Sequence, residues 1–190
     1  MPPDPFALAP ARVHEVQGPG RTVFALYQAM RHPGPILWVL PPRGAGLPMP
    51  WGLPPGVAER LLILRPRREV DLLWSTEEAL REAATGFVIA EPEKPLSLTA
   101  GRRLQLAAEA GRTPGLMLIA EGAGSNAAET RWHCDLLAAP RADSTWHRWS
   151  LTKNKSGTMA DWTLDWDGTS SALHLVSPAG QRCQPAAPPG

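Results

Sequence analysis

Four short, nearly unbroken apolar runs constrain this chain more than any other feature: PILWVL (35–40), RLLILR (60–65), FVIA (87–90) and GLMLIA (115–120). None alternates polar with apolar residues, as a strand with one wet face does. A strand without alternation is covered on both faces, which suits a parallel sheet held between helices. The segments between the runs supply those helices. RTVFALYQAMR opens after Gly20 and sets Val23, Phe24, Leu26, Tyr27 and Met30 at helical spacing. EVDLLWSTEEALREAATG aligns Leu72, Leu73, Thr76, Ala79, Leu80 and Ala83, with Gly86 as its stop, and LTAGRRLQLAAEAG runs from a Thr99 N-cap to Gly111. A short strand at Arg12–Val16 precedes the first helix. The order implies an α/β fold with a doubly wound, mostly parallel sheet flanked by helices.

After Glu121 the pattern changes. TRWHCDLLA, STWHRWSLTK and DWTLDWD alternate, are separated by turns, and hold five of the eight tryptophans. They read as an antiparallel, Trp-rich meander attached to the parallel sheet. Strand parity puts Trp162, Leu164 and Trp166 on one face, Trp149 and Leu151 on another, and Trp146 opposite Trp149 as the exposed member. Both ends are Pro-rich. Residues 1–10 read as an extended arm and 177–190 as a disordered tail, which leaves a single domain at 11–176. PPRGAGLPMPWGLPPG (41–56) reads as a long irregular loop, with Trp51 anchoring it.

A chain of 190 residues with 43% hydrophobic and 19% charged residues suits one soluble domain with a sizeable core. No apolar run is long enough to span a bilayer, the N-terminus lacks the pattern of a signal peptide, and two cysteines make no disulfide framework. A cytoplasmic protein is expected. A formal net charge of +1 does not mark a nucleic-acid binder. Arg65, Arg67 and Arg68, and Arg102 with Arg103, read as ordinary solvated clusters. A third group holds Arg141, His147, Arg148, Lys153 and Lys155.

Two sequences bear on chemistry. HEVQGPGRTVFAL follows a strand and opens a helix, the context of a phosphate-binding loop. Gly18, Pro19, Gly20, Arg21 and Thr22 look like the remnant of GxxxxGK[ST], but Glu15 stands where the first glycine belongs and Arg21 replaces the lysine. Lys153-Asn154-Lys155 is the second. The chain has 16 Arg and only 3 Lys, yet two of those lysines flank one asparagine before a Ser-Gly turn. The segment is either a polar hairpin end or a site where compact ammonium charges are needed. His14, His32, His133, His147 and His174 are scattered without metal-ligand spacing, so no metal site is assigned. Glu77-Glu78 reads as a solvated acidic pair, and Glu91, after FVIA, stands where nucleotide hydrolases often place a metal-binding carboxylate.

The ordered series resembles the RecA core, and more closely the ImuA family of RecA-like mutagenesis proteins, over roughly residues 11–176. RecA-type proteins carry GPESSGKT after the first strand, and this chain has GPGRT. GVAERLLILRPRREVDLLWSTEEALREAATGFVIAEP looks like RecA's strand, helix and Walker B strand, while LTAGRRLQLAAEAGRTP and ETRWHCDLLAAP look like ImuA hallmarks. RWSLTKNKSG matches the segment in which RecA carries its own Lys-Asn-Lys. The departures fall where ATP chemistry lives: the short loop, Pro41-Pro42 in place of a catalytic carboxylate, and Ala120-Glu121 in place of a polar sensor pair. Hydrolysis needs these parts together.

The resemblance therefore implies a non-enzymatic, cofactor-free accessory factor in damage-induced, error-prone translesion synthesis. Its implied partners are an ImuB-like relative of the Y-family polymerases and RecA, and indirectly a specialised C-family polymerase and the sliding clamp, with the protein at the nucleoid on DNA damage. By the same resemblance Lys153, Asn154 and Lys155 reach a neighbouring protomer's nucleotide. Alternatives are a weak DNA-stimulated ATPase using Thr22, or a SulA-like inhibitor of a cell-division GTPase. Direct DNA binding through Arg141, Trp146, His147 and Arg148 ranks below protein docking.

Overall fold

The computed structural model describes residues 4–43, 46, 52–138, 144–167 and 172–180. Among these, β1 (Val13–Gln17), α1 (Arg21–Arg31), β2 (Ile36–Val39), β3 (Leu61–Leu64), α2 (Glu69–Arg81), β4 (Phe87–Ala90), α3 (Leu98–Gly111) and β5 (Gly115–Leu118) alternate as expected. Then come β6 (Thr130–Leu137), β7 (Ser144–Asn154), β8 (Asp161–Asp167) and β9 (Ala172–Gly180). The sheet order is β3-β2-β4-β5-β1-β6-β7-β8-β9. Strands from β3 to β6 in that order run parallel, and β7, β8 and β9 add on antiparallel.

The apolar runs split by parity into two cores. Phe87 and Ile89 of β4, with Leu116 and Leu118 of β5, join α1's Phe24, Ala25 and Ala29 on one face. Val88 and Ala90, with Met117, join Leu72 and Leu80 of α2 and Leu104 and Ala108 of α3 on the other. This is why those strands carry no polar alternation.

RLLILR is the exception. Among the described residues it forms the edge strand β3, paired with β2 alone, and Leu62 is 59% exposed. Helix ends also differ from expectation. α2 stops at Arg81, five residues before Gly86, and the N-cap of α3 is Ser97, whose Oγ accepts the Ala100 N–H at 3.1 Å. Ala83 lies beyond α2 and is exposed. Trp51 lies outside the described residues.

Both proposed domain boundaries move. Phe6 and Leu8 are buried, and Phe6 is seated among Tyr27, Trp132, Trp149 and Trp162 with ring centroids 5.3–6.2 Å away. The arm is thus a plug in the first core, latched by Gln28 Nε2 donating to the Phe6 carbonyl at 2.8 Å and by an Asp4–Arg31 ion pair. At the other end, β9 continues to Gly180, with Thr163 opposite Ser177 and Asp161 opposite Gly180. Residues 177–180 are therefore strand, not tail; backbone pairing to β8 needs no apolar side chain. Residues 181–190 lie outside the described set.

Candidate functional site

The turn between β1 and α1 brings Gly18, Pro19, Gly20, Arg21 and Thr22 together at the carboxyl end of the parallel strands, where α/β sheets hold ligands. Its geometry is not that of an anion cradle. Gly20 donates its N–H to the Cys134 carbonyl of β6 at 2.8 Å, so the turn lies on the neighbouring strand. Gly18 has φ +90°, and a Cβ there would sit 2.6 Å from the same carbonyl oxygen. Gly18 is required by that close crossing, and at Gly20 a Cβ would sit a tight 3.1 Å from the same oxygen. Arg21 is half-buried and Thr22 exposed.

Beside the turn lies an open cleft of about 440 Å³ whose walls include Arg21, Pro41, Glu91, Glu93 and Glu121. Three carboxylates face one guanidinium there, a field that opposes a polyphosphate. Glu91 Oε1 is also committed, accepting the Trp38 Nε1–H at 2.8 Å. Among the described residues no group of three or more His, Cys, Asp or Glu is placed to hold a metal ion.

Lys153 and Lys155 stand at the end of β7, over the 125–129 segment. Lys153 Nζ donates to the carbonyls of Asn126 (2.8 Å), Ala128 (2.5 Å) and Ser125 (3.4 Å), and Lys155 Nζ to that of Ala127 at 2.7 Å. Asn154 forms the turn itself, accepting the Ser156 N–H at 3.1 Å and donating to the Thr158 carbonyl at 3.3 Å. Below them Glu15, 1% exposed, accepts from Arg131 Nε and from the Ser125 N–H, both at 2.8 Å. Burial, then the Lys155 charge and the Arg131 charge, push the Lys153 ammonium below its ordinary pKa. A compact ammonium with three donors suits carbonyls converging on one point; a planar guanidinium does not. That accounts for a lysine at 153 in an arginine-rich chain; Lys155 makes one such bond, to Ala127. Sequence reasoning missed Glu15 and Arg131 as the floor of this cluster, because a charged residue inside a strand gives no sign of its partner.

Of the described residues considered for DNA contact, Trp146 and Arg148 share the outward face of β7 by strand alternation, whereas His147 faces inward. His147 is 1% exposed, a correction that follows from parity: it shares the inward face with Trp149 and Leu151. Trp146 is half-buried. Arg148 is exposed but bound to Asp135, Nη2 to Oδ2 at 2.7 Å. Arg141 lies outside the described residues. Glu77 is corrected too: it is 4% exposed, held between Arg81 and Arg103, whereas Glu78 is exposed. His133 and Cys134 point to opposite sides of β6, with Cys134 buried and its thiol pKa raised well above the ordinary value by that burial.

Comparison with protein-family models and with curated proteins gave no match for this chain.

Proposed function

We propose that this protein is a non-catalytic, RecA-like accessory factor of damage-induced, error-prone translesion synthesis. It scaffolds an ImuB-like Y-family polymerase relative and RecA, and through them a specialised C-family polymerase and the sliding clamp. It acts in the cytoplasm and joins the nucleoid on DNA damage. The observation that carries the non-catalytic part is the Gly20–Cys134 contact: the N–H that would meet a phosphate is already bonded at 2.8 Å. The acidic cleft beside it supports the same reading. The RecA-like part is supported by where the shortened loop sits, at the end of β1 between parallel β5 and β6, and by the Lys-Asn-Lys at the end of antiparallel β7.

In this reading Lys153 and Lys155 meet a neighbouring RecA protomer's nucleotide by exchanging backbone carbonyls for phosphate oxygens. A phosphate bears full charge where a carbonyl bears a dipole, so the exchange is favourable when a phosphate comes within reach. Retention on immobilised RecA filaments loaded with a slowly hydrolysed ATP analogue tests this. Wild type should be retained and folded Lys153→Ala/Lys155→Ala should not; equal retention overturns the contact.

A further inference from the structure

Among the described residues β3 leaves the sheet with an apolar, unpaired edge. Leu62, Ile63 and Leu64 are 59%, 41% and 38% exposed, and Trp74 of α2 beside them is 61% exposed. Leu37, Leu62, Leu64 and Trp74 wall a groove of about 300 Å³ between β3 and α2. An edge of this kind is normally kept short, bent by a bulge, charged or covered, because it templates another strand. β3 is short, four residues between Arg60 and Arg65, but is not covered by any described strand. Leu61–Leu64 carries no charge.

We propose that a second copy of this chain covers this edge, its β3 pairing antiparallel with β3 about a two-fold axis through Ile63. The backbone selects that register. The Leu64 carbonyl accepts from Leu40 N–H at 2.8 Å, so the polar groups of Leu64 face β2, and by alternation those of Ile63 face outward. A two-fold axis through Ile63 lets both copies exchange N–H and C=O at that residue. It also sets Leu62 opposite Leu64 twice, on the face that carries Trp74, so the grooves of both copies close over one apolar strip.

Charge selects the same arrangement. The carboxyl end of β3 runs into Arg65, which bonds the Pro41 carbonyl, exposed Arg67, and Arg68, which pairs with Asp71. Exposed Glu59 precedes its amino end, and Glu82 and Glu78, the latter paired with Arg81, line the groove with Pro35 and Thr85. Arg60, also at the amino end, is turned inward onto the carbonyls of Ala29, His32 and Gly34. Antiparallel pairing brings the acidic end of one copy to the basic end of the other, and so brings Glu59, in the turn before β3, toward the second copy's Arg67, in the bend after Pro66. Parallel pairing would put like charges together. Two-fold symmetry makes each favourable contact twice.

Sedimentation equilibrium of the full chain over a concentration series tests the proposal. Wild type should show a concentration-dependent dimer. Ile63→Pro, which removes an outward N–H and spares the β2 ladder, should weaken it by about tenfold or more. Arg67→Glu should weaken it as well, and adding Glu59→Arg should restore it. If Ile63→Pro does not fold, the charge-reversal pair decides alone. A chain that stays monomeric at the highest concentration overturns the proposal, as does a dimer that neither Ile63→Pro nor Arg67→Glu disturbs. None of these readouts involves RecA or mutagenesis, so the proposal stands or falls apart from the accessory-factor reading.

Discussion

Gly20 donates its backbone N–H to the Cys134 carbonyl at 2.8 Å, so the first turn of α1 receives a neighbouring strand where a phosphate loop receives an anion. Gly18, at φ +90°, lets the chain pass close enough for this to happen. Gly18→Ala introduces a Cβ 2.6 Å from the same oxygen and forces a non-glycine residue into left-handed backbone. It should cost about 2 kcal/mol or more, read as a lower urea midpoint without a change in slope.

Phe6 plugs the aromatic cluster of Trp132, Trp149 and Trp162 from a segment outside the sheet. Phe6→Ala should destabilise the fold by about 3–4 kcal/mol and shift tryptophan emission to the red. Removal of residues 1–10 should do at least as much, whereas a dispensable arm would leave the unfolding curve in place.

Glu77 is nearly buried and serves two guanidiniums that are themselves half to two-thirds exposed. Solvent screens those arginines, so Glu77→Gln should cost only about 1–2 kcal/mol. Glu78→Gln, on the exposed side of the same helix, should change stability by less than about 0.5 kcal/mol. Paired urea titrations compare the two.

Burial drives the His14 imidazole from 6.5 down to about 4, although the hydrogen bond to the Ala9 carbonyl opposes the shift. That bond, at 3.0 Å, places the proton on Nε2, and Nδ1 then accepts from Thr130 Oγ1 at 2.7 Å. The neutral ring is the folded form, while the unfolded chain takes a proton below about 6.5. Stability from this group is complete above that pH and is lost as pH falls toward 4, by about 3 kcal/mol in all. The stability difference between wild type and His14→Gln should shrink accordingly from pH 7.5 to 4.5. A pH-independent difference would contradict the assignment.

The parallel core was legible because FVIA and GLMLIA must be covered on both faces, and β4 and β5 do feed two cores. RLLILR is as unbroken in its apolar run between two arginines yet forms an edge, since local sequence does not record how many neighbours a strand finds. Phe6 gave no periodic signal, being a single side chain whose receptor is assembled from β6, β7 and β8. The Lys-Asn-Lys stood out by composition, but its carbonyl partners lie some 25 to 28 residues away in sequence and only folding brings them together. The phosphate-loop remnant was visible as spacing; its closure on Cys134 depends on β6 lying beside β1.

Damage-induced mutation frequency in a strain lacking this protein tests the accessory-factor account most directly. The account predicts that induced mutagenesis falls to the uninduced level and returns with wild type and with Thr22→Ala, but not with folded Lys153→Ala/Lys155→Ala. Undiminished induced mutagenesis in the deletion strain would contradict it, and rescue that depends on Thr22 would return a nucleotide to the site that Gly20 and Cys134 close.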